Sequence, residues 1–543
     1  MKTNVVHPSF ALRELSPGLN PWFWALFLAG IVSVSFPYLG YNLAYLPGDL
    51  GDTRFNIFIL EHAKQFFGRE VQGFWSAGFM YPEAEVITYS DNFLGTAPLF
   101  ALFRWLGAGI FTSFQLWFLA LAFLNYWASF KLAEYLLEDK RTAAIAAFVF
   151  AFSLSLASQM NHAQTFPRFA LPLSLLFLLK WLRHTHTIDF AAMVTLLVYQ
   201  FYCGIYLGFL TALPFAVILA FGIWPKRQVI ISRLKSWPTV AGYTGTIVIN
   251  AWLMLKLFLP YLRRASYSGL YSFEEISHSI PTPLSYLSAH PGSILYPSTH
   301  RLVDGYTAFW DHWIFPGWLA LAGFTVVIVL LAKNVLRAKD SHASPFTKSQ
   351  TLFFAAGAVL FFIYLRIDQQ SLYYFLQKVP GFGAMRALAR IINIELLFIG
   401  VSLAWVVQQI MRKINSRPPV KHVLLALFMA LLFIENQSHP TKIVRTEKAE
   451  MQNRHEALVA KMQHLPARSV ISYEPDTIHG DVIHYQIDAM LAAQSLHLRS
   501  VNGYSATSAY MFDRYWLNPN TENRLFWFSR FDNLPDTDIH IIK

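Results

Sequence analysis

The chain has 543 residues, 55% hydrophobic and only 14% charged, against the roughly 25% charged residues of an average soluble protein. Its formal charge is +11, but the Lys and Arg residues lie in short connections between apolar runs and form no basic helix or stripe, which excludes a nucleic-acid partner. The single cysteine, Cys203, excludes an intrachain disulfide and a cysteine metal cluster, and within its apolar run it reads as a packing residue.

Apolar runs around 22–36, 110–128, 143–156, 171–182, 246–259, 318–331 and 391–407 reach, with their flanks, the roughly 20 residues that cross a bilayer. The first begins near residue 21 and lacks a small-residue cleavage site, so it is expected to be a retained span and not a signal peptide. The predicted spans are 20–39, 110–135, 143–160, 165–183, 188–203, 205–224, 240–262, 313–333, 350–367, 388–411 and 421–437, with the long run 188–224 divided at Gly204. The expected fold class is therefore mainly α: a polytopic α-helical membrane protein of about eleven spans, in the cell (inner) membrane.

Lys2 and Arg13, Lys140 and Arg141, Lys180 and Arg183, the 226–235 cluster, Lys333, Arg337 and Lys339, and the 412–421 cluster all fall on one side of this threading. The positive-inside rule makes that side cytoplasmic, together with the N-terminus, and leaves the C-terminus outside. Residues 1–437 then form the transmembrane domain, with large outer loops at 40–109 and 263–312, and residues 438–543 form an extracytoplasmic domain. Within the first loop, 53–67 reads as an amphipathic helix lying along the membrane interface, and a second helix is expected from Ser90-Asp91-Asn92 through Trp105. The tail is expected to hold a charged helix at 446–464, a strand at 469–473, a helix at 481–493 and a closing strand at 538–542, a small α/β unit.

The polar residues that membrane packing does not explain gather on the outer side. Asp49 and Asp52 lie in Pro47-Gly48-Asp49-Leu50-Gly51-Asp52-Thr53-Arg54, directly after the first span. Asp52 is placed to cap the following helix, worth about 1 kcal/mol, and Asp91 to cap the second. Capping leaves Asp49 without a task, so a catalytic or substrate-binding role is expected for the pair. Lys256 and Glu395 lie within spans at a shared depth of about 10 Å, at 1.5 Å per residue, which suggests an ion pair or a polar cavity open to the outer leaflet; Asp311 sits at an outer span end. Arg386 and Arg390 are four residues apart, so on a helix they share a face suited to a phosphate. With Asp91, Glu61 and His62 these form the candidate substrate-binding set. Asp49, Asp52, Asp91 and Glu61, with His62, offer ligands to a divalent cation. There is no His-Glu-x-x-His, glycine-rich phosphate loop or serine elbow in the sequence, and no nucleotide cofactor is expected.

The layout as a whole resembles the GT-C superfamily of membrane glycosyltransferases. More narrowly it is similar to a bacterial GT-C-like group whose motifs are matched here by Gly48-Asp49-Leu50-Gly51-Asp52, Tyr81-Pro82-Glu83 with Tyr89-Ser90-Asp91-Asn92, the stretch 200–208, Asp311-His312-Trp313-Ile314-Phe315-Pro316-Gly317, the Arg386–Arg390 loop and Val501-Asn502-Gly503-Tyr504-Ser505. The resemblance implies a polyprenyl-phosphate-linked sugar donor, a cell-envelope glycan, lipid or protein acceptor, and membrane lipids as surroundings. It also implies Asp52 as general base, with Asp49 second, and Arg386 or Arg390 at the departing phosphate. Many members carry two adjacent acidic residues where this chain spaces them by Leu50-Gly51, so both aspartates stay candidates. A non-catalytic protein on the same scaffold, or a lipid or sugar transporter or flippase, are the alternative readings.

Overall fold

A computed structural model describes residues 20–268, 271–336, 344–414, 417–532, 534 and 539–543. Lys2, Arg13, Arg337, Lys339 and Asp538, used in the sequence reading, lie outside the described residues. Among these, nine helices are long and apolar enough to cross a membrane: Pro21–Leu39, Ile110–Leu137, Lys140–Gln159, Ala163–His184, Ile205–Arg233, Trp237–Ala265, Trp318–Leu336, Leu388–Lys413 and Pro418–Glu435. Two shorter apolar helices, Thr187–Cys203 and Lys348–Tyr364, take the remaining predicted places. The run 188–224 does break at Gly204, the residue between helices Thr187–Cys203 and Ile205–Arg233. The latter continues nine residues past its expected end at 224 and passes through Pro225 into the basic stretch that follows its apolar run.

Two spans occupy the centre of the bundle. Lys140–Gln159 and Leu388–Lys413 are each 94% buried over their apolar windows, whereas Trp237–Ala265 on the rim is 17% buried. Small residues allow the central pair to approach: a Cβ on Gly400 would lie 2.7 Å from the Ala146 carbonyl oxygen.

The loops and the tail collect at one end of the bundle. There Tyr45–Pro47 pairs antiparallel with Arg445–Glu447, in the register Leu46 to Thr446. The tail folds as predicted into helix Lys448–Met462, strand Val470–Tyr473, helix Val482–Ser495 and a last strand Ile539–Ile542. Val470–Tyr473 is the middle strand of a three-stranded parallel sheet, between Arg499–Ser500 and Ile539–Ile542.

The first-loop helix, Asp52–Phe67, forms where the sequence places it, and protein covers most of it. Helix Val482–Ser495 packs on it from the tail and helix Ala97–Trp105 from the first loop, so twelve of its residues, including Arg54, Glu61, His62 and Gln65, are buried. Its polar face is satisfied by protein: Arg54 pairs with Asp488, Gln65 donates to the Gln494 carbonyl at 3.2 Å, and Gln494 returns a bond to the Phe58 carbonyl at 3.0 Å. The second helix starts at Ala97, not near Ser90. Asn92 accepts a bond from the Leu94 amide at 2.9 Å, and Phe93 takes φ +54°, a local turn that competes with helix and delays its start.

Candidate active site

The acidic segment is held by backbone pairing before any side chain acts. Past Tyr45–Pro47 the chain turns at Gly48 (φ +91°), where a Cβ would sit 2.1 Å from Thr53 Oγ1 and 3.0 Å from the Met160 carbonyl oxygen. Only glycine fits both the dihedral and the space. Asp49 Oδ1 accepts from the Gly51 amide at 3.0 Å, an Asx turn that feeds the chain into the helix. Asp49 therefore has the local structural task, and the expected cap at Asp52 is not made. Gly51 occupies the N-cap position and Asp52 is the first helical residue, without a side-chain cap bond.

Freed from capping, the Asp52 carboxylate turns toward two other parts of the chain. Tyr504 donates its hydroxyl to Oδ1 at 2.6 Å, and His162 Nδ1 lies 3.1 Å from Oδ2. Burial pushes the Asp52 carboxyl up, but the His162 hydrogen bond and charge, the Tyr504 bond and the Arg390 charge outweigh it and hold it below its ordinary value. Its place in the first turn of a helix favours the same ionised form. Asp49 goes the other way, raised by burial and by the neighbouring Asp52 charge. The two carboxyl groups are pushed apart in this way: Asp52 favours the ionised form, and Asp49 holds a proton more readily.

Asp52, with its side chain 29% exposed, opens into a cavity of about 280 Å³. Four parts of the chain build the walls: Asp49, Gly51 and Asp52 from the first loop; Ser158, Asn161 and His162 from the turn between two spans; His290, Trp310 and Trp313 from the second large loop; and Asp481, His484 and Tyr504 from the tail. Beside it stands a second polar group. Arg390 lies over the Tyr206 ring at 5.4 Å, its Nε is buried without a partner among the described residues, and its charge acts on both Asp52 and Asp91. Arg386 donates to the Ala506 carbonyl at 2.7 Å. Arg386 and Asp311 both act electrostatically on Tyr206. The two arginines do not share a helix face as expected: Arg386 precedes the tight turn Leu388–Ile391, and the α-helix starts only at Ile392. Asp91 does not cap the helix Ala97–Trp105; its Oδ1 accepts from the Tyr206 amide, in the first turn of Ile205–Arg233, at 3.3 Å, and burial raises its carboxyl.

Four other candidates lie elsewhere. Glu61 is bound by Arg104 at 2.7 Å and 3.3 Å. His62 contacts the Phe74 carbonyl at 2.7 Å, and burial lowers it to about 4. The expected Lys256–Glu395 pair does not form. Lys256 is on the exposed face of its helix with its ammonium 5.9 Å from the Trp252 ring, while Glu395 is buried and accepts from the Tyr286 hydroxyl at 2.7 Å. Equal depth along two helices fixes height and not rotation, and Lys256 points outward. The five-residue cation set is dispersed for the same reasons, and among the described residues no group of three or more His, Cys, Asp or Glu side chains is arranged to hold a metal ion.

Sequence reasoning did not single out His162 or the aromatic wall of Trp310 and Trp313, and it treated Tyr504 only as part of a motif. The signals were a polar turn, 159–164, between two apolar spans, and tryptophans three apart next to Asp311.

Fold and site together define a multi-pass α-helical membrane protein with a recessed, carboxylate-lined cavity at the end of the bundle that carries the loops and the tail. No protein-family model matches the chain, and no curated protein matches it. Among solved structures it is similar to the archaeal oligosaccharyltransferase AglB from Archaeoglobus fulgidus in complex with an inhibitory peptide and a dolichol-phosphate, at 13% identity and TM-score 0.44, over 94% of this chain and 68% of that one. It is also similar to ArnT from Cupriavidus metallidurans bound to undecaprenyl phosphate, at 11% identity and TM-score 0.41, over 88% of this chain and 84% of that one.

Proposed function

We propose that the chain is a membrane glycosyltransferase that moves a sugar from a polyprenyl-phosphate-linked donor to an acceptor at the extracytoplasmic face, with the N-terminus cytoplasmic and residues 438–543 outside. The observation that carries this reading is the Asp52 carboxylate, held between Tyr504 and His162, which lines a cavity at the end of the bundle away from the basic connections Lys140–Arg141 and Arg412–Lys413. In this reading an acceptor hydroxyl enters the cavity and Asp52 takes its proton as the oxygen attacks the sugar carbon. The carbon–oxygen bond to phosphate breaks as the new bond forms, with inversion, and the leaving phosphate carries away the electron pair. Arg390 and Arg386 stabilise the charge that develops there. A positioned base contributes typically about 10²–10⁴-fold. Tyr504 and His162 orient the carboxylate, and Asp49 shapes the turn that presents it.

Glycolipid and glycan mass spectrometry of a deletion strain complemented with variants tests the reading. Asp52→Asn should reproduce the deletion profile, while Asp49→Asn should retain product. A wild-type profile from Asp52→Asn refutes Asp52 as the base.

A further inference from the structure

The cavity that Asp52 lines has an aromatic wall. Trp310 and Trp313 are three apart around the tight helical turn Phe309–His312, a spacing that brings side chains onto one face, and both line the cavity. Trp310 is 52% exposed. Trp313 is held in place by His290, whose ring meets it edge-on at 5.3 Å, and by Phe309 at 5.5 Å. Around the two tryptophans the lining is polar: Ser158, Asn161, His162 and Tyr504 stand in the same cavity as the Asp49 and Asp52 carboxylates. A half-exposed indole ringed by hydroxyls and carboxylates suits a ligand with one apolar C–H face and a polar rim.

We infer that this cavity is a saccharide subsite: it takes a single pyranose ring as the acceptor, stacked through its C–H face on Trp310. A ring hydroxyl meets Asp52, and the apolar face of the ring matches an indole left half exposed. The volume, about 280 Å³, lies at the lower edge of the roughly 300–1,000 Å³ of small-molecule sites, which suits one ring and not an extended peptide. This inference names the acceptor class for the proposed transferase and rests on that reading for the word acceptor; the binding site itself does not.

Saturation-transfer NMR on the full-length protein in nanodiscs tests it, with the methyl β-glycosides of glucose, galactose and N-acetylglucosamine and a serine-containing tripeptide as probes. At least one glycoside should show saturation at its ring C–H protons, reduced fivefold or more by Trp310→Ala and weakened by Trp313→Phe, which shortens the aromatic wall. Binding by none of the glycosides, binding that persists undiminished in Trp310→Ala, or binding by the tripeptide in their place overturns the inference. Glycoside binding that follows the tryptophans, in a protein whose Asp52→Asn variant leaves the cellular glycan profile unchanged, would instead retain the saccharide site and reject the transferase.

Discussion

Asp488→Asn should loosen the tail from the first-loop helix. Asp488 is a shared anchor: one oxygen pairs with Arg54 Nη1, and Arg454 reaches the carboxylate at 2.5 Å and 3.2 Å. The Arg54 side chain is 1% exposed, whereas that of Arg454 is 27% exposed. The substitution leaves a buried guanidinium without its counter-charge, and breaking a buried pair in this way costs about 3–5 kcal/mol. The more exposed Arg454 adds less than about 1 kcal/mol, because water screens it. At about 1.4 kcal/mol per tenfold, the lower figure alone raises the detached population by roughly 100-fold. Hydrogen exchange of the full-length protein measures that population directly, and amides in Asp52–Phe67 and Val482–Ser495 should exchange about 100-fold faster. The double variant Arg54→Leu/Asp488→Leu should recover most of the protection, since an apolar pair of similar size avoids the unpaired charge. Exchange within threefold of wild type in Asp488→Asn, or a double variant as labile as the single one, would refute the argument.

Tyr504→Phe removes one of the bonds that hold the Asp52 carboxyl down, so its folded pKa should rise. Asp52 is a depressed carboxylate: its ionised form, and the stability it contributes, are lost as pH falls through the folded value, so raising that value moves the acid limb of activity upward. A hydrogen bond to a charged group is worth about 1.5–3 kcal/mol and 1.36 kcal/mol is one pH unit; with the carboxylate partly exposed, the pH–rate profile should shift by about 1 unit, and an unmoved limb would exclude Asp52 as the titrating base. His162→Gln should shift the limb the same way. Gly400→Ala forces a methyl group against the Ala146 carbonyl and should cost about 1–3 kcal/mol of overpacking, seen as a lower thermal midpoint; an unchanged midpoint would mean the two central spans give way more easily than their burial implies. For orientation, a cysteine at exposed Ala467 should label with an impermeant maleimide in intact cells and one at exposed Ser236 only after permeabilisation, and the reverse pattern would move the site to the cytoplasm.

Span number, the break at Gly204 and the tail elements were legible in the sequence because long apolar runs, basic connections and turn residues are local signals. Rotation about a helix axis is not local. Lys256 and Glu395 share a depth but face different surroundings, and Glu61 and His62 are taken up by Arg104 and the Phe74 carbonyl, partners elsewhere in the first loop that helical periodicity does not reveal. Capping logic also assigned the two aspartates in reverse. Asp49 closes the turn, and Asp52 is released to meet Tyr504, an exchange that depends on a partner more than 450 residues downstream. The same long separations hid the cavity, whose walls come from four stretches that local periodicity cannot relate.

The pairing of Tyr45–Pro47 with Arg445–Glu447 has a consequence for biosynthesis. The membrane helices can insert in order as they leave the ribosome, but the strand that aligns Asp49 and Asp52 has no partner until residues 445–447 have been made. Tyr504 arrives later still. A chain that stalls or is cut between the last span, Pro418–Glu435, and that point carries its membrane helices and lacks the Tyr504 bond to Asp52, so chain completion itself times the maturation of the site.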